Sequence, residues 1–122
     1  MSQDGRPVDR RVGELLGDLL AQAQAVSRLV ARGKAAFDAD EMLRLAAESL
    51  LVRLGECVDR LDKADPTFVP AHPALELRPL KDTRNLVAHG YDIVDYALVW
   101  AILATDVPRV ASAVEAFVRE SA

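Results

Sequence analysis

One short stretch, Arg84-Asn85-Leu86-Val87-Ala88-His89-Gly90-Tyr91, gathers side chains able to do chemistry on a phosphodiester. His89 titrates near neutral pH and can give or take a proton, while Arg84, five residues earlier, carries a permanently charged planar fork that grips phosphate oxygens in pairs. Together they supply what cleavage of RNA by its own 2′-hydroxyl needs. His89 moves the proton at the reacting oxygens, and Arg84 stabilises the crowded, negatively charged phosphorane. The scheme uses no metal and no cofactor. On a helix turning about 100° per residue, Asn85 falls on the same side as His89 one turn away, where its amide can fix the imidazole tautomer. Arg84 lies about 140° from His89 on such a helix and reaches the same anion through its long side chain. Arg78, Lys81 and Arg84 recur every three residues and would lay a drifting basic ridge that guides a phosphate backbone toward His89. The same residues also suit a structural role, in which cations and His89 complement the negative end of a helix and Gly90 supplies its left-handed cap.

Other chemistry finds no support along the chain. There is no Glu-x-x-His step for a carboxylate-bridged metal pair, no Cys/His cluster for zinc, no Gly-rich phosphate loop and no plausibly spaced Ser-His-Asp set. Cys57, the single cysteine, cannot form an internal disulfide and lies on or beside an apolar stripe, as an inert core residue does. His72, between Pro70 and Pro73, is expected to be solvated. A net charge of −4 argues against non-specific coating of nucleic acid, which rests on many cations, but leaves room for a local basic site. No start resembling a secretion signal is present, and the longest strongly apolar stretch, residues 96–104, falls short of the roughly 20 residues that cross a bilayer. The expectation is a cytoplasmic protein without a membrane segment.

The elements that must position the reactive stretch are helical. With 122 residues and no composition break or repeat, residues 9–122 are read as one domain behind a frayed polar end, residues 1–8. Hydrophobic residues make up 51% and aromatics only 5%, so Leu, Val and Ala must build the interior, as in packed helices. Val12, Leu15, Leu16, Leu19, Ala23, Val26, Leu29 and Val30 recur at three- and four-residue steps and predict a first helix from Asp9, stopped by Gly33. A second begins after an N-cap at Asp38 or Asp40 and carries Leu43, Ala47, Leu50, Leu54, Val58 and Leu61. On its other face, Arg53, Glu56 and Arg60 form a solvated ion-pair ladder, or else Glu56 orients an arginine at a site.

Three prolines make residues 65–73 the main loop. A third, shorter helix runs from about Leu75 or Pro79 to His89, with Leu80, Leu86 and Val87 inward and Gly90 ending it. Asp92 or Asp95 caps a fourth, carrying Leu98, Ala101, Ile102, Val110, Val114 and Phe117, with a kink or restart at Pro108 capped by Asp106. The predicted architecture is an all-α, up-and-down four-helix bundle. Its modest core, and the need to expose His89, predict a two-fold dimer that pairs the third helices around one cleft.

These residues resemble the HepT-like toxins of the HEPN superfamily, whose R-x4-H-x-Y signature matches Arg84, His89 and Tyr91, with Asn85 following the arginine. The resemblance covers most of the chain, roughly residues 10–119. Leu54-Gly55-Glu56 resembles the family's apolar-Gly-Glu step, while Asp95, Val99-Trp100 and Asp106-Val107-Pro108 resemble its Asp, Val-Trp and Asp-Leu-Pro landmarks. It implies an HEPN-like bundle acting as the toxin of a type VII-like toxin-antitoxin system. That toxin would be a homodimeric, metal-independent endoribonuclease with Arg84 and His89 catalytic and Asn85 supporting them. It also implies that Tyr91, just beyond Gly90, receives AMP from an MntA-like minimal nucleotidyltransferase antitoxin. Two departures stand out: Cys57 replaces a more usual Ala, and residues 65–73 lack the family's run of charges. The alternative is a catalytically silent HEPN-like subunit that docks a nucleotidyltransferase. Intact Arg84 and His89 favour the enzyme, and the acidic bulk charge favours the adaptor.

Overall fold

The computed structural model describes residues 9–88 and 94–121. Its first apolar stripe becomes α1 (Arg10–Val30), capped by Asp9, whose carboxylate accepts from the Arg11 and Val12 N–H groups at 2.8 and 3.4 Å. Val12, Leu15, Leu16, Leu19, Ala23, Val26 and Leu29 are buried along one side. Gly33 then turns the chain at φ 92°, a conformation that costs glycine little because it has no Cβ. It leads into α2 (Lys34–Ala39), an element with too few residues to show a period in sequence. What holds α2 is tertiary: Phe37 is fully buried, with ring centroids 6.3 Å from Tyr96 and 5.1 Å from Trp100. Arg44 closes its C-terminus, donating to the carbonyls of Phe37 (3.2 Å) and Asp38 (2.7 Å).

Of the two caps expected for the second long helix, Asp40 is the one used, accepting from the Met42 N–H at 2.9 Å. The helix it starts, α3 (Glu41–Ala64), buries Ala47, Leu51, Leu54, Gly55, Cys57, Val58 and Leu61. Cys57 is a core residue, and burial pushes its thiol pKa up, away from reactivity. Glu56 pairs with Arg60 at 3.7 Å on the exposed side, so it serves the ladder.

The proline-rich stretch is more ordered than a plain loop. It holds α4 (Phe68–Ala71) and a 3-10 turn, Pro73–Leu75, which bury Phe68, Val69 and Leu75. His72 is not simply solvated as expected: it is half-buried and packs its ring 4.5 Å from Phe68 and 4.9 Å from Phe117.

The C-terminal part is one helical run. Asp95 caps α7 (Tyr96–Ala101), accepting from the Leu98 N–H at 3.1 Å, and a π-helical turn, Ile102–Asp106, joins it to α8 (Val107–Ser121). The disturbance expected at Pro108 is present, as this π-helical turn immediately ahead of the proline. Proline has no N–H to give the carbonyl four residues back and its ring crowds that carbonyl, and the wider turn just ahead of it relieves both faults. Asp106 instead pairs with Arg109 at 3.4 Å. Over 26 residues the run is long and apolar enough, by length and composition, to cross a bilayer, a reach hidden when the sequence is read only to residue 104. Val99, Leu103, Val107, Val110 and Val114 on it are nevertheless core residues of the bundle. The buried residues form one cluster, with α1 packed on both α3 and α8, and no strand occurs among the described residues. The architecture is the all-α bundle predicted, with its third member divided.

Candidate functional site

The expected third helix is two pieces, α5 (Leu77–Asp82) and α6 (Asn85–Ala88). α5 is fastened at both ends. Before it, Glu76 sits in the left-handed region at φ 57° and ψ 35°, held by Arg109, whose Nε and second guanidinium nitrogen donate at 2.8 and 3.4 Å. Leu77 and Leu80 are buried, and α5 packs on α3. Pro79 is the third helical residue, inside the first turn, where no N–H has an intrahelical partner to lose. Near its end, Lys81 donates to Asp62 Oδ2 at 2.8 Å and stands 3.5 Å from Asp59 Oδ1, clasping α5 to α3. The Asp62 hydrogen bond raises the Lys81 pKa. Asp59 is held below the usual carboxylate range, chiefly by its bond to Lys63, with Lys81 adding to it.

The regular α-helical ladder is interrupted at Thr83 and Arg84, although Thr83 itself keeps right-handed helical dihedrals (φ −63°, ψ −25°). The Thr83 hydroxyl donates to the Leu80 carbonyl at 2.7 Å, and the backbone tightens to three-residue bonds, Arg84 to Lys81 at 3.4 Å and Leu86 to Thr83 at 3.0 Å. Arg84 thus occupies a turn, and the angle assigned to it on a continuous helix does not apply. Its position is set by a close approach to α3: a Cβ on Gly55 would stand 2.9 Å from both Cβ and Cδ of Arg84, and 3.2 Å from Cγ. Its stem is half-buried, and none of the described residues pairs with its guanidinium. The fork is available to an anion.

Asn85, exposed, opens α6, and Leu86 is half-buried against the core. His89, Gly90, Tyr91 and the alternative cap Asp92 lie outside the described residues. Of the expected basic ridge, Arg78 is exposed and Arg84 half-buried, but Lys81 is turned toward two carboxylates of α3. Three features escaped the sequence reading of the site: the Gly55 seat, the Lys81 clasp and the Glu76–Arg109 pair. Gly55 gave a signal, since a glycine amid buried helix positions marks close approach of another backbone or side chain. Among the described residues, no group of three or more His, Cys, Asp or Glu is placed to hold a metal ion.

An all-α bundle carrying an Arg-Asn step followed in sequence by His and Tyr is consistent with the HEPN class. The chain belongs to the HepT-like ribonuclease family, whose model, described as Ribonuclease HepT-like, matches residues 19–117. That match runs from within α1 to within α8 and includes the whole candidate site. It places the chain broadly among HEPN ribonuclease toxins. No curated protein and no solved structure matches the chain.

Proposed function

We propose that this chain is a metal-independent endoribonuclease toxin acting in the cytoplasm, with Arg84 and His89 catalytic and Asn85 supporting them. The observation that carries the reading is Arg84 itself, held by its stem on α3 with a guanidinium that no described residue claims, inside a chain of the HepT-like family. In the proposed reaction His89 takes the proton of the 2′-hydroxyl as that oxygen attacks phosphorus, Arg84 holds the phosphorane, and the P–O5′ bond breaks as the 5′-oxygen receives a proton back from the His89 imidazolium. The products are a 2′,3′-cyclic phosphate and a 5′-hydroxyl. Two protomers pair their α5–α6 segments and line one cleft with both copies of the motif. Arg78 serves the incoming phosphate backbone; Lys81, engaged on α3, contributes more to holding α5 than to RNA.

An MntA-like nucleotidyltransferase antitoxin restrains the enzyme by transferring AMP to Tyr91, placing phosphate charge where RNA must dock. The rival reading, a silent subunit that only docks such a partner, is favoured by the net charge of −4. Purified chain with end-labelled RNA in excess EDTA separates them: cyclic-phosphate ends support the ribonuclease, and dependence on added metal contradicts its metal-free chemistry. Co-expression with an MntA-like nucleotidyltransferase should add mass in whole AMP steps to the wild type and none to Tyr91→Phe. An unmodified wild type would remove Tyr91 from the mechanism.

A further inference from the structure

We propose that Gly55 is a positioning residue of the ribonuclease site: its bare Cα on α3 is the seat that fixes the Arg84 stem and so the point its guanidinium reaches. The inference rests on the reading of Arg84 as catalytic. Glycine weakens a helix interior relative to alanine, so one retained in the buried face of a long helix needs a reason. Gly13 and Gly17 in α1 supply the contrast, because a Cβ at either would meet nothing within 4 Å. At Gly55 it would meet Arg84 Cβ and Cδ at 2.9 Å, closer than real Cβ atoms come.

That clash cannot be absorbed by swinging the far end of a flexible side chain, since the Arg84 Cβ moves only with its backbone. The α3 side cannot yield either, because Leu54 and Val58 flank Gly55 in the fully buried core. Upstream, α5 is pinned by Leu77, Leu80 and the Lys81 clasp. What gives way is the turn at Thr83 and Arg84, and with it the reach of the guanidinium. A displacement near 1 Å costs on the order of 100-fold in rate when a group acts by orientation.

The test compares Gly55→Ala, Arg84→Ala and the control Gly17→Ala in steady-state cleavage of labelled RNA by the full chain, with thermal melting of each. Gly55→Ala should lower kcat by roughly 10- to 100-fold with little change in KM, while Gly17→Ala cuts at the wild-type rate. If Arg84→Ala loses cleavage but Gly55→Ala cuts like wild type, or loses only in KM, the positioning role is overturned and the ribonuclease reading stands. Wild-type cleavage by Arg84→Ala overturns the catalytic reading of Arg84 itself. A second comparison is independent of activity. Arg84→Gly removes Cβ, Cγ and Cδ, so adding Gly55→Ala to it should raise the melting temperature, or restore folding if Gly55→Ala alone does not fold. An equal effect of Gly55→Ala in both backgrounds would overturn the contact.

Discussion

α3 and the α5–α6 segment lie against each other, yet they are ordered by different means. α3 is a 24-residue helix whose apolar stripe is fully buried at Ala47, Leu51, Leu54 and Val58, so its place is set by continuous packing. The α5–α6 segment has two fully buried leucines and the half-buried Leu86, and its fastenings include Glu76 on Arg109, Lys81 on Asp62 and Asp59, and Arg84 on Gly55. A continuous helix would have committed Arg84 to the ladder of its own backbone. A short, broken one lets its cation be aimed from outside, with α3 as the fixed reference. The difference suggests that stability resides in one partner and aim in the other, which substitutions on each side can separate.

The largest expected effect is in α3. Leu54→Ala should cost about 2–5 kcal/mol of unfolding free energy in urea titrations, whereas Leu86→Ala, at a half-buried position of α6, should cost less than about 2 kcal/mol. Equal losses would remove the contrast. Next is the entry to α5. Glu76→Ala loses the bond to Arg109 and keeps the left-handed backbone, while Glu76→Gly loses the bond and relieves the backbone, so the glycine variant should be more stable by roughly 1 kcal/mol. A glycine variant no more stable than alanine would show that the turn carries no strain.

The smallest effect belongs to the Lys81 clasp, and its sign is set by pH. Lys81 has a raised pKa, so its contribution is complete below the ordinary value of 10.5 and is lost as pH climbs through the higher folded value. Asp59 has a lowered one, so its contribution is complete above the ordinary 3.8 and is lost as pH falls through the lower folded value. Stability should therefore be level between those limits. Lys81→Met should soften both the alkaline decline, to which the raised phenol of Tyr96 bonded to Glu48 also contributes, and the acid one, by roughly 1 kcal/mol or less at neutral pH. An unchanged alkaline limb in melts from about pH 9 upward would count against the clasp.

Where packing follows period, the fold was legible in the sequence. The stripe of α1 gave its buried face, and that of α3 most of its own, although Leu51 is fully buried where Leu43 and Leu50 were expected and are only half-buried. Asp40 and Asp95 each stood as one of two candidate caps, because acidic N-caps sit just before a periodic run. α2 was not legible, since six residues show no period and its place depends on Phe37 meeting Tyr96 and Trp100, distant in sequence. Pro108 announced a disturbance without its form, because nothing in the residue types shows that the missing N–H is accommodated by a wider, π-helical turn. The break before Asn85 was hidden for a similar reason: Thr83 and Arg84 carry no proline or glycine signal, and what holds them is a side-chain bond to Leu80 and a seat on Gly55. The residue types of the candidate site stood in the sequence, whereas the reason Arg84 is held where it is lay on another helix.

The proposed ribonuclease function requires Arg84 and His89 to act together on RNA. The direct measurement is cleavage of end-labelled RNA in excess EDTA by wild type, Arg84→Ala and His89→Ala, each first shown by thermal melting to be folded. Wild-type protein should cut, and either variant should lose on the order of 100-fold or more of that rate while keeping its melting transition. Undiminished cutting by folded His89→Ala would contradict it.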